Sequence, residues 1–192
     1  MKYYAVKKGV KPGIYTTWDA AKENVDGFPN ACYKAFTNEK DALCFLNDTP
    51  SPLADTPIAY VDGSYKESTN EYSFGAVLIM HQKEITFKKS FPADDLSKMR
   101  NVAGEIKGAA FIINYCYNHN IEKITIYHDY VGISKWYLGE WKANEVGTKK
   151  YQAFAHEMNN KIKVTFVKVK GHSNDKYNDM ADRLAKDALG IK

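Results

Sequence analysis

Apolar positions along the chain alternate between short strand-like runs and helical stripes, and one proline-rich stretch divides them. Tyr3-Tyr4-Ala5-Val6 has the composition of a strand, followed by the turn formers Gly9 and Pro12-Gly13 and a second strand at Ile14-Tyr15-Thr16. Thr17 is placed to cap a short helix over 18–25. A third strand is predicted at 33–36, and Glu39 to Leu46 reads as a closing helix with Ala42, Leu43, Phe45 and Leu46 inward. Residues 49–57, Thr-Pro-Ser-Pro-Leu-Ala-Asp-Thr-Pro, hold three prolines in nine positions and read as a stiff connector. Beyond it come a strand at 58–61 and two strands at 73–80 and 84–91 joined by a turn at 81–83. A helix over 102–117 then carries Val102, Ile106, Ala109, Ala110, Ile113 and Tyr117 at helical spacing. A strand at 123–127, helices at 131–141 and 151–158 and a strand at 164–169 follow. The last helix has Ala181, Leu184, Ala185, Ala188 and Leu189 on one stripe. This order predicts an α/β fold, a mixed sheet antiparallel at its start and flanked by helices, behind a small α+β module. The expected division is 1–48, a 49–57 linker, and 58–192.

Composition narrows the classes. With 192 residues, 44% hydrophobic and 26% charged, the chain can bury a core, which excludes global disorder. The longest apolar run, Phe74 to Met80, is far short of the roughly 20 residues that cross a bilayer, so no membrane association is expected. Cys32, Cys44 and Cys116 show no paired spacing, which argues against a disulfide scaffold and makes the reducing cytoplasm the expected location. The net charge of +4 is mild. Residues 1–48 contribute +1 and the remainder +3, so neither piece is a polybasic tail.

The chemistry must come from acids, since no serine or cysteine sits with a convincing base. Asp62 in Tyr60-Val61-Asp62-Gly63-Ser64 follows the first strand after the linker, and Asp129 follows the strand at 123–127. If those strands are parallel neighbours, both carboxylates emerge at one sheet edge, where ligands gather in such folds. Glu105 lies in the first turn of its helix and Asp182 near the start of the last helix. Singly, each has an ordinary explanation: Asp-Gly marks a turn, and first-turn acids suit the helix dipole. Together they would repel unless a cation compensates, and hard oxygen donors suit two Mg²⁺, or Mn²⁺. Two such ions about 4 Å apart serve phosphodiester cleavage. His172, in Lys170-Gly171-His172, is a candidate proton shuttle.

These residues resemble type 1 ribonuclease H over nearly all of 58–190. The similarity runs through Tyr60-Val61-Asp62-Gly63-Ser64, the helix with Asn101 and Glu105, the strand ending in Asp129, Lys170-Gly171-His172, and Asn178-Asp179-Met180-Ala181-Asp182-Arg183-Leu184-Ala185. The resemblance implies a ribonuclease H-like mixed five-stranded sheet, with Asp62, Glu105, Asp129 and Asp182 as metal-binding acids and His172 assisting. It implies endonucleolytic cleavage of the RNA strand of an RNA–DNA hybrid, leaving a 3′-hydroxyl and a 5′-phosphate. Asn101 is then the side chain that reaches a 2′-hydroxyl, and Lys98 and Arg100 are placed to meet phosphates. Residues 1–48 resemble the hybrid-binding (viroplasmin-like) module that precedes many such enzymes, through Tyr4 to Gly9, Pro12 to Trp18 and Tyr33 to Phe36. That likeness implies Trp18 and Tyr33 on the DNA sugars, Lys34 on phosphate, and Tyr4 as a further contact. Only nine residues, Lys142 to Lys150, stand where relatives place a longer basic handle, so the N-terminal module is expected to supply substrate affinity. Two other readings keep the fold: a nuclease for double-stranded RNA or structured single strands, and a non-catalytic hybrid-binding protein. No protein partner is indicated and a monomer is expected.

Overall fold

The computed structural model describes residues 2–37, 39–48, 56–81, 83–171 and 175–191. The chain separates into two units, 1–55 and 56–192.

In the first unit, β1 (Tyr3–Lys8) is the central strand between β2 (Gly13–Tyr15) and β3 (Cys32–Phe36), both antiparallel to it. Ala5 and Val6 of β1 are fully buried, and Ala21 and Val25 pack with Val6. Helix α1 (Trp18–Lys22) starts where Thr17 Oγ1 accepts a hydrogen bond from the Ala20 amide, as the capping residue predicts. It ends at Lys22, three residues short of the predicted 25, because the chain turns through 23–27 with Asn24 Nδ2 donating back to the Ala20 carbonyl. That turn lies so close to Gly9 that a Cβ there would sit 2.3 Å from the Asn24 carbonyl oxygen. Helix α2 (Glu39–Asn47) closes the module.

The second unit is built on a five-stranded sheet of β4 (Ile58–Lys66), β5 (Glu71–Met80), β6 (Lys83–Phe91), β7 (Lys123–His128) and β8 (Lys163–Lys168), in the order β6-β5-β4-β7-β8. The first three strands are antiparallel neighbours, and β7 pairs parallel with both β4 and β8. Helices α3 (Asn101–Asn118), α4 (Gly132–Tyr137) and α5 (Val146–Met158) contribute to the core on one face; α6 (Lys176–Ala188) covers the other. Ile106, Ala109, Ile112, Ile113 and Cys116 of α3 meet Ala59, Val61, Phe74, Ala76 and Leu78 of the sheet. Burying each large apolar side chain contributes about 1.5–3 kcal/mol.

Beyond α1, further elements depart from the sequence reading, and Leu43 of α2, expected inward, is exposed. Strand β4 runs to Lys66 and not to Val61, because β5 continues to pair with it through Lys66↔Glu71. The helix predicted over 131–141 is only α4, since the chain leaves the helix after Tyr137 and Gly139 takes φ 73°. Helix α5 begins at Val146, five residues before the predicted 151. Thr148 Oγ1 accepts from the Glu145 amide there, while the Glu145 side chain accepts from a first-turn amide, an inverted capping box without the usual Ser/Thr-first signature. A 3-10 turn at Asp95–Met99 was not anticipated.

Backbone contact sets the depth at which α3 meets the sheet. A Cβ on Gly104 would lie 1.8 Å from the Ser73 carbonyl oxygen, and one on Gly63 would lie 2.1 Å from the Asn101 carbonyl oxygen. The two glycines therefore let α3 touch β4 and β5 directly, which brings the first turn of α3 to the strand that carries Asp62.

Candidate active site

The parallel pairing of β4 with β7 ends at Tyr60↔Tyr127, and Asp62 and Asp129 each stand two residues further along. Asp62 thus lies inside β4, where one partner strand has departed and the other continues. Carboxylate oxygens of Asp62, Glu105 and Asp129 all lie within 4.8 Å of one another. Asp62 and Glu105 are buried and Asp129 half-buried. Asp62 Oδ1 accepts from the Gly63 amide at 2.7 Å, and Glu105 Oε1 faces the Asn101 amide nitrogen at 3.4 Å. Glu105 Oε2 is buried with no hydrogen-bond partner among the described residues.

Burial and mutual repulsion act in the same direction here. Burial first, then the Asp129 charge, pushes the Asp62 carboxyl up from 3.8 to about 7, even though the Gly63 hydrogen bond and Lys186 oppose the shift. Burial, then Asp62 and Asp129, pushes Glu105 up from 4.5 to about 9. A divalent cation would satisfy the orphaned Glu105 oxygen and offset the repulsion, so the donor set fits Mg²⁺ or Mn²⁺.

Asp182 is near enough to raise Asp62, but its carboxylate is bonded to Lys186 Nζ at 2.7 Å, one turn along α6, and it stands outside the trio. Lys186 was not singled out in the sequence, where a lysine in the last turn of a helix is unremarkable. His172 lies outside the described residues. Its neighbour Gly171 is close to the trio: a Cβ there would be 2.7 Å from Asp129 Oδ2.

Around this centre, Lys98, Arg100 and Asn101 are exposed between the 3-10 turn and α3. Arg100 sits at φ 52°, a left-handed conformation uncommon for a non-glycine residue, with its guanidinium over the Tyr65 ring and facing Glu67 at 3.4 Å. An open cavity of about 420 Å³ is lined by Tyr65, Asn70, Ser97, Lys98 and Arg100, among others. On the other flank, Tyr130, whose hydroxyl is held above its ordinary pKa by burial and then by the Glu105 charge, begins a line of rings through Trp136 to the exposed Trp141. In the first unit, Tyr4, Trp18 and Tyr33 form a row with ring centres 5.6 and 5.5 Å apart. Trp18 is 39% and Tyr33 46% exposed, so neither is spent on core packing, and Lys34 beside them is exposed.

Residues 55–190 match the family model described as RNase H, and residues 2–46 match the Ribonuclease H1 N-terminal domain. The chain belongs to the ribonuclease H family. Ribonuclease H of Clostridium botulinum is 30% identical over 149 residues, spanning 69% of this chain and 94% of that protein. Ribonuclease H1 of Homo sapiens is 23% identical over 96% of this chain and 88% of its own length, thus across both units. Among solved structures, ribonuclease H1 of Halobacterium salinarum shares the fold with a TM-score of 0.58 and 18% identity, covering 70% of this chain and 97% of that one. LC11-RNase H1 in complex with an RNA/DNA hybrid has a TM-score of 0.56 at 15% identity, covering 70% of this chain and all of that one. The expected ribonuclease H-like architecture with a small N-terminal module is therefore the observed one. Among the described residues no helix is long and apolar enough to cross a membrane.

Proposed function

We propose that residues 58–192 form a metal-dependent endonuclease. It cleaves the RNA strand of RNA–DNA hybrids, leaving 3′-hydroxyl and 5′-phosphate ends, while residues 1–48 bind the hybrid. One observation carries this reading: three carboxylates are gathered within 4.8 Å, and a buried Glu105 oxygen has no partner among the described residues. A protein that only bound nucleic acid would gain nothing from that repulsion, which favours the enzyme over the non-catalytic reading.

Asp62, Glu105, Asp129 and Asp182 are the side chains that would hold two Mg²⁺, or Mn²⁺. Bound there, such ions lower the pKa of water and stabilise charge on the leaving oxygen. The remaining roles belong to the chain. Gly63 orients Asp62 through its amide, and Asn101 steadies Glu105 from the first turn of α3 while presenting a polar group for a 2′-hydroxyl. Lys98 and Arg100 meet phosphates beside the centre, and His172 moves a proton. Tyr4, Trp18 and Tyr33 offer an apolar row to the sugars of the DNA strand, with Lys34 on its phosphate. Reading backbone and groove shape leaves little sequence preference.

A cleavage assay on labelled hybrid, double-stranded RNA and DNA duplex, with and without chelator, tests the proposal. Only the RNA of the hybrid should be cut, only with the divalent cation, and Asp62→Asn should abolish cutting while hybrid affinity stays broadly intact. Cleavage that persists in chelator or in Asp62→Asn would show the acid set to be wrong. Equal cleavage of double-stranded RNA would move the substrate assignment there.

A further inference from the structure

Strand β7 alternates buried and partly exposed positions, and its inward row reads Ile124, Ile126, His128. The first two are ordinary core residues. His128 is fully buried as well, edge-on to Phe166 with ring centres 5.7 Å apart, at a position where the pattern calls for another aliphatic side chain. Its Nε2 is buried without a hydrogen-bond partner among the described residues, a loss that an aliphatic residue would avoid. The compensating feature is on the other nitrogen. Nδ1 lies 2.9 Å from the Tyr130 carbonyl oxygen, so the imidazole reaches across Asp129 and ties down the residue after it.

The same stretch is held at further points. The Tyr130 carbonyl also accepts from the Ile133 amide at 3.2 Å as α4 begins, and the Val169 amide donates to the His128 carbonyl at 2.9 Å. Asp129 is therefore the residue in the middle of a loop whose two sides are fixed, with Gly171 pressed against its carboxylate. Of these fastenings, only the imidazole is made by a side chain spanning Asp129, and the carbonyl it meets requires the Nδ1–H tautomer.

We propose that His128 is a positioning residue: its Nδ1–H clamp on the Tyr130 carbonyl holds the Asp129 carboxylate against Asp62 and Glu105 for cation binding. The inference rests on Asp129 being a cation ligand, so that reading is tested in parallel.

The experiment is a Mn²⁺ titration of the full chain by calorimetry, applied to the wild type, His128→Leu, His128→Asn and Asp129→Asn, with hybrid KM and kcat measured on the same samples. His128→Leu keeps the volume and removes the donor. Mn²⁺ affinity should fall about tenfold or more, as it does when a group orienting a metal ligand is lost, with KM for the hybrid unchanged. His128→Asn returns an N–H near the Nδ1 position and should restore affinity to within about threefold of wild type, which packing alone would not achieve. Wild-type affinity in His128→Leu, or equal loss in His128→Asn and His128→Leu, overturns the proposal. Loss in Asp129→Asn with no loss in His128→Leu removes only the role of His128. Unchanged affinity in Asp129→Asn removes the ligand reading too. Should His128→Leu not fold, the imidazole ¹⁵N spectrum of the wild type decides: an Nε2–H tautomer at His128 is incompatible with the clamp.

Discussion

Replacing Asp62 by Asn in the metal-free protein should make it more stable, by an amount that depends on pH. The amide is nearly isosteric, its oxygen can keep the 2.7 Å bond from the Gly63 amide, and its NH₂ offers a donor to the neighbouring carboxylates. In the wild type, the Asp62 carboxyl titrates near 7 when folded and near 3.8 as its ordinary value. A carboxyl with a raised folded pKa leaves stability intact below the unfolded value. It withdraws stability as pH rises, with the loss complete once the folded pKa is passed. About three pH units at about 1.4 kcal/mol each make the cost on the order of 4 kcal/mol above pH 7. Urea unfolding of both proteins in chelator, at pH 4 and pH 8, reads the difference directly. The variant should gain little at pH 4 and several kcal/mol at pH 8, and adding Mg²⁺ should restore the wild type but not the variant. A gain that does not change with pH, or a loss at pH 8, would refute the account of the site as a set of buried, mutually repelling acids.

Gly104→Ala should destabilise the second unit by more than about 2 kcal/mol in urea and cut hybrid cleavage sharply, because its Cβ would lie 1.8 Å from the Ser73 carbonyl oxygen and push Glu105 away from Asp62. Trp18→Ala or Tyr33→Ala should leave thermal stability nearly unchanged, both rings being exposed, but weaken hybrid binding by fluorescence anisotropy about tenfold. Removing residues 1–48 should raise KM on short hybrids by far more than it lowers kcat. An unchanged KM in steady-state assays would show that the second unit binds its substrate without help.

What could be read from the residues depended on how local the cause was. The Thr17 cap and the α6 stripe follow from neighbouring side chains and appear where the periodicity puts them, whereas the α3 stripe is met only in part. Ile106, Ala109 and Ile113 are buried, but Ile112 and Cys116 join them in the core while Tyr117 is exposed. The end of β4 has no such local cause, because Ser64 to Lys66 extend only by pairing with β5, a long-range partner that no window of sequence reveals. The short α4 and early α5 likewise turned on a left-handed Gly139 and an inverted cap. At the site, the sequence points to four acids at element ends, and three of them, Asp62, Glu105 and Asp129, lie together. However, Asp62 stands inside β4, Glu105 lies past the first turn of α3 and Asp182 is midway along α6. The pairing of Asp182 with Lys186 and the reach of His128 over Asp129 depend on rotamers, and a histidine amid β-branched residues gave the only sequence trace of the second.

The matched spacing of Asp62 and Asp129 beyond the last β4–β7 pair has a consequence for how the chain can change length. Dropping or adding one residue in either strand ahead of its acid would turn that carboxylate to the opposite side of the pleat, while leaving composition and hydropathy almost untouched. Evolutionary indels should therefore gather in the hairpin bends and the segment before α5, leaving the 58–62 and 123–129 stretches with constant residue counts across descendants of this gene.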